Sequence, residues 1–159
     1  MTRLLKQPGL AQVLAFCAEA PIERVFLEDV ARRGLGRFTA LADGGRLIAL
    51  CHVGANLVPS GAETALFAEA ASRSRPRMIV GEDSAVTALW EAIEGRMPVP
   101  LDDRPGQPVY VTHAPPPAGG SSLRAARVSD LPLLVRACAA AYLEEVGVDA
   151  HAQIGRAHV

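Results

Sequence analysis

Apolar positions recur along this chain with two periods, and the change from one to the other marks its elements. Between Arg37 and Pro59 the period is two. Phe38, Ala40 and Ala42 fall on one face of a first extended run. Asp43-Gly44-Gly45 follows, and Arg46 to Val53 then carries Leu47, Ala49, Cys51 and Val53 on one side with Ile48 and Leu50 on the other. Asp-Gly between two such runs predicts a hairpin, because glycine takes the positive φ that a turn matched to strand twist requires. A strand apolar on both faces is covered on both, so helices are expected above and below it. Gly54 interrupts the pattern, and Asn56-Leu57-Val58-Pro59 reads as a third extended piece leading into a helix.

Elsewhere the period is helical. Leu10, Val13, Leu14 and Cys17 recur at i, i+3, i+4 and i+7. From 22 to 33, Ile22, Val25, Phe26, Val30 and Ala31 are expected to face inward and Glu23, Arg24, Glu28, Asp29 and Arg32 to face solvent, with Gly34-Leu35-Gly36 as the stop. A helix over 62–73 is expected to bury Leu66, Phe67 and Ala70, with Ser60 as its N-cap. A further helix starts at Glu82-Asp83-Ser84, buries Val86, Leu89, Trp90 and Ile93, and closes at Gly95. Short strands are predicted over Arg3 to Leu5, Met78 to Val80 (buried) and Val109 to Val111.

The run Ala114-Pro115-Pro116-Pro117-Ala118-Gly119-Gly120-Ser121-Ser122 reads as a linker, stiff in its proline half and loose in its Gly/Ser half. Beyond it, Leu123 to Arg127 reads as a strand, and Ser129-Asp130 caps a helix from Leu131 to Tyr142 striped by Leu134, Ala137, Cys138 and Ala141. Glu144 to Asp149 is expected to exit as a loop. One strand and one helix cannot bury their own apolar face, so residues 123–153 read as the opening of a second domain after a complete one over 1–113 and a linker over 114–122. The closing Ile154 to Val159 can be encoded by a common sequencing adapter read in frame. That tail, 154–159, is expected to be artefactual and the genuine chain to continue past about Gln153.

Composition adds exclusions. The 159 residues are 50% hydrophobic and 21% charged but only 4% aromatic, which predicts a core of Ala, Leu and Val in close contact. A formal net charge of −1 supplies no basic field for nucleic acid. No membrane span or signal peptide is read in the sequence, and a cytoplasmic protein is expected. Cys17, Cys51 and Cys138 are far apart in apolar surroundings, so buried free thiols are expected, with no disulfide framework and no metal site.

Few residues offer chemistry. Cys51 and His52 are neighbours on a strand and point to opposite faces, so a structural role is expected of both. His113 and His151 lack ligand spacing. Arg73, Arg75 and Arg77 around Pro76 read as a solvated loop, and Trp90 as core.

Two stretches carry a family resemblance. Leu123 to Asp149, LRAARVSDLPLLVRACAAAYLEEVGVD, resembles the opening strand and helix of GNAT acetyltransferases, and Arg37 to Gly95 resembles the later part of the same fold, a strand meander, a Val-Pro entry into a helix, a buried strand and a helix. With Cys51 to Pro59, the whole is similar to an uncharacterised domain that stands in front of a GNAT domain in some bacterial proteins. The resemblance implies an α/β fold with a mixed central sheet flanked by helices, GNAT-like (acyl-CoA N-acyltransferase-like), followed by the first β-α unit of a second GNAT domain. It implies transfer of an acetyl group from acetyl-CoA, as co-substrate of the complete protein, to a small-molecule or peptide amine. A non-enzymatic ligand- or partner-binding module with a GNAT-like shell is the rival reading.

Active GNAT members hold the acetyl-CoA pyrophosphate on a Gln/Arg-x-x-Gly-x-Gly/Ala loop at a helix N-terminus. The corresponding Val58-Pro59-Ser60-Gly61-Ala62-Glu63 has one glycine and an acidic residue that would repel phosphate. The first domain is therefore expected to be degenerate and to bind no acetyl-CoA tightly. Asn56, Ser60 and Gly61 are its cofactor-side candidates. Asn56 is read either as a polar group beside a splayed strand or as a local turn former. Tyr142, Glu144 and Glu145 are the substrate-side candidates, because that region borders the acceptor amine site in GNAT proteins, where a carboxylate can accept an ammonium proton; the alternative is a solvated helix end.

Overall fold

The computed structural model describes residues 2–115 and 124–146. The chain divides after Val111 into two compact units. The first is built on a five-stranded sheet in the order β1 (Arg3–Lys6), β2 (Phe38–Asp43), β3 (Arg46–Val53), β4 (Asn56–Gly61) and β5 (Met78–Ile79). The first four strands pair antiparallel and β5 joins β4 parallel, so the sheet is mixed. Gly44 and Gly45, at φ 56° and 87°, make the turn of the β2–β3 hairpin, where any other residue would be strained.

Helices cover both faces. On one lie α1 (Leu10–Cys17) and α2 (Val25–Arg32), which bury Val13, Phe16, Cys17 and Leu27 against Phe38, Ala40, Ala42, Leu47, Leu50 and Val58. On the other lie a 3₁₀ turn (Thr64–Phe67), α3 (Ala68–Ser74) and α4 (Asp83–Ile93). These bury Phe67, Ala71, Leu89 and Ile93 against Leu41, Ala49, Cys51 and Leu57. Ala40, Ala49 and Ala71 are fully buried, and small side chains at these positions let the helices lie close to the sheet. Each large aliphatic or aromatic side chain removed from water in these two layers contributes about 1.5–3 kcal/mol.

The strict alternation expected of β3 is broken. Leu41 pairs with Ala49 but Ala42 pairs with Leu47, which leaves Ile48 unopposed in a β-bulge. Leu47 therefore joins Leu50 in the first layer, and Ile48 packs beside the second layer with Ala49 and Cys51. The freed Ile48 carbonyl accepts a hydrogen bond from the Ala62 amide, 3.2 Å. Gly61 passes directly over this carbonyl at φ 91°, and a Cβ there would lie 2.4 Å from the Ile48 oxygen and 2.9 Å from the Ala49 Cα.

Four further expectations are corrected. Ile22, Val25 and Phe26 are exposed, and α2 turns Leu27 inward together with Val30 and Ala31, which face the core as expected. Two apolar stripes compete on α2, and the choice follows from Arg24, which shares the stripe of Leu27 and Ala31 and is held beneath the helix start. The single helix over 62–73 is a 3₁₀ turn followed by α3. Its tighter winding eclipses Thr64 and Phe67 as the inner pair, leaves Leu66 exposed and puts Ala71, in place of Ala70, in the core. The strand at Met78 is an edge, with Met78 and Val80 exposed. Val109 to Val111 forms no strand, and its side chains stay exposed, Tyr110 at 89%.

In the second unit, Arg124 to Arg127 is not a strand. The Arg124 guanidinium grips Asp130 through two bonds of 2.6 and 2.8 Å, and Asp130 also accepts the Arg127 amide at 2.8 Å. That clasp folds the segment onto a 3₁₀ turn (Val128–Asp130) and holds the Asp130 carboxyl below the usual carboxylate range. α5 (Leu131–Val146) extends beyond Tyr142 and takes Glu144 and Glu145, expected in a loop, into the helix. Most of the linker, Leu123, Gly147 to Asp149 and the 154–159 tail lie outside the described residues. Among the described residues no helix is long and apolar enough to cross a membrane.

The geometry at Gly61 makes Gly61→Ala costly. Urea unfolding is expected to show a loss of about 2 kcal/mol or more, from the unfavourable φ together with the clash. Gly44→Ala, whose Cβ meets nothing within 4 Å, should lose about 1 kcal/mol. Equal losses at both sites would contradict the bulge contact.

Candidate functional site

The segment that resemblance marks as a phosphate loop is not a loop. Val58, Pro59, Ser60 and Gly61 continue β4, opposite His52, Cys51, Leu50 and Ala49, and the first three are buried. The Ala62 amide is spent on the Ile48 carbonyl. Glu63 stands next, exposed and left-handed at φ 54°, and its side chain caps nothing.

Ser60 is not an N-cap. It lies buried in the sheet with its hydroxyl at the centre of a partly buried polar chain. Arg24 Nε donates to Ser60 Oγ at 3.0 Å, and Ser60 Oγ donates to Glu82 Oε1 at 2.5 Å. The same guanidinium lies 3.6 Å over the Phe16 ring, donates to the Phe16 carbonyl at 2.5 Å, and has Glu19 and Glu82 carboxylate oxygens at 3.8 and 3.9 Å. A partly buried cation is tolerated when its donors and charge are met in this way. The chain ties the start of α2, the end of β4 and the residue before α4 into one assembly.

β4 and β5 stay side by side. The Arg77 amide donates to the Ala55 carbonyl at 2.7 Å, Asn56 and Leu57 pair with Met78 and Ile79, and the Val80 amide donates to Leu57 at 3.0 Å. The ladder stops at Pro59, which has no N–H to offer. The strands nevertheless remain in contact: a Cβ on Gly81 would sit 2.6 Å from the Pro59 carbonyl oxygen and 3.6 Å from its ring. Just beyond, buried Thr64 donates from its hydroxyl to the Ala85 carbonyl at 2.7 Å, which pins the 3₁₀ turn to α4.

The remaining candidates are scattered. Asn56 opens β4, exposed, and its carbonyl accepts from His52 Nδ1 at 3.0 Å. Ser60 lies four positions further along the strand, about 13 Å away. Cys51 and His52 do face opposite layers. Cys51 is fully buried and burial pushes its thiol up to about 12, whereas His52 meets the edges of Phe26 and Phe38 at 5.8 and 5.6 Å. Arg73 pairs with Glu69, and the Arg77 amide serves the β4–β5 junction. Trp90 is half-buried beside the second layer. His113 is exposed in an irregular stretch, and His151 lies outside the described residues.

Tyr142, Glu144 and Glu145 are exposed on α5. The helix puts Tyr142 and Glu145, at i and i+3, on one face and turns Glu144 to the other. Among the described residues no three His, Cys, Asp or Glu side chains are grouped to hold a metal ion. Two shallow depressions, of about 370 and 300 Å³, are lined by residues around Trp90 and Met97 and around Arg3 and Gln12; neither includes Asn56, Ser60, Gly61 or Glu82.

Sequence reasoning missed Arg24. The available signal was a charge on an apolar stripe, three residues before Leu27 and seven before Ala31.

Ser60→Ala is expected to cost about 1–3 kcal/mol in chemical denaturation, because it strands the Arg24 and Glu82 groups that the hydroxyl satisfied. The double variant Arg24→Met/Ser60→Ala should lose less than the sum of the two singles, and strict additivity would contradict the coupling. Thiol labelling of the folded chain at pH 8 should modify Cys138, which is exposed, and leave Cys17 and Cys51 protected until unfolding. Fast labelling of Cys51 would contradict its burial.

No curated protein and no solved structure matches the chain. A family model does: residues 36–134, from just before β2 into α5, match the family described as a domain of unknown function (DUF4081). That match takes in more than half of the chain, so the chain belongs to this domain family.

Proposed function

We propose that residues 1–113 form a degenerate GNAT-like domain that binds no acetyl-CoA tightly and serves as the non-catalytic companion of an N-acetyltransferase domain whose opening is residues 123–153. In this reading the complete protein transfers acetyl from acetyl-CoA to an amine, and acyl transfer falls to polypeptide other than the first unit. The observation that carries the reading is the closed seam between β4 and β5. In the GNAT-like arrangement the acyl thioester lies where these strands splay, and here Gly81 packs against the Pro59 carbonyl at that place. The amides that would cradle a diphosphate are also withdrawn, since the segment after Pro59 is strand and the Ala62 amide already has its acceptor.

Two further features support it. The antiparallel β1–β4 meander, the return through α3 and the parallel β5 followed by α4 match the order that the resemblance implies. α5 carries large apolar side chains around its circumference, with Leu131, Leu133, Leu134, Val135, Tyr142 and Leu143 exposed. A helix apolar on all sides suits the interior of a larger domain. The rival, a binding module without acyl transfer, shares the closed seam; a Gly-rich diphosphate loop downstream of Leu123 in the complete gene would favour the enzyme, and its absence the module.

The test is a titration of the 159-residue chain with acetyl-CoA, followed by amide chemical shifts. No shift is expected at Ser60, Gly61, Ala62 or Gly81. Micromolar binding with shifts at these amides would overturn the proposal.

A further inference from the structure

We draw no further inference here: the strongest candidate, the exposed apolar patch of Ile22, Val25 and Phe26 at the start of α2, carries nothing because nothing in the structure shows what covers it.

Discussion

Gly81 runs so close to Pro59 that a Cβ there would fall 2.6 Å from the Pro59 carbonyl oxygen, and this approach constrains one edge of the sheet. β5 contributes only two residues to the ladder, and Pro59 removes the donor that would have extended it. A two-rung parallel pair is a weak join. It holds because backbone meets backbone at Gly81, because the Arg24–Ser60–Glu82 chain spans the same place on the α1/α2 side, and because Thr64 fastens α4 on the other. Opening the strands would separate Glu82 from Ser60 and strip the partly buried Arg24 cation of part of its compensation, so polar pairing adds to packing at the seam.

The same geometry changes the physical reason for expecting weak phosphate binding. From sequence, the argument rests on Glu63 opposing an anion at a helix N-terminus. In the fold the helix there begins as a 3₁₀ turn, Glu63 is an exposed left-handed residue before it, and the glycine meant for a ligand is consumed by the protein itself. Gly61 is required because β4 crosses the bulged Ile48 carbonyl. The proposal of weak diphosphate binding therefore rests on backbone pairing in place of charge repulsion.

The hairpin, the doubly covered β3 and most helices were legible because their signals are local: Asp43-Gly44-Gly45 fixes a turn, and the spacing of Val13 and Cys17 or of Leu89 and Ile93 fixes a face. The β3 bulge was not legible, since Leu47 to Val53 alternates well enough on its own and only pairing with Leu41 and Ala42 shows the extra residue. The inward face of α2 was misread because Val25 and Phe26 offered an equally apolar stripe. Arg24 was assigned to solvent because its partners, Ser60 and Glu82, lie 36 and 58 residues away, as the numbering gives by subtraction. Val109 to Val111 has strand composition but stays exposed and irregular, and composition alone does not make a strand. Of the candidate site residues, Ser60 and Gly61 fall at a constrained point of the fold. Asn56 opens β4, and Tyr142, Glu144 and Glu145 lie on α5 in the second unit.

Amide hydrogen exchange at the β4–β5 seam tests the account most directly. Arg77 and Val80 donate their amides across it, so both should exchange far more slowly than exposed Leu101, and saturating acetyl-CoA should leave their rates unchanged. Rapid exchange of Val80 in the free protein, slowed when acetyl-CoA is added, would mean that the strands part to admit the cofactor, and the account would be wrong.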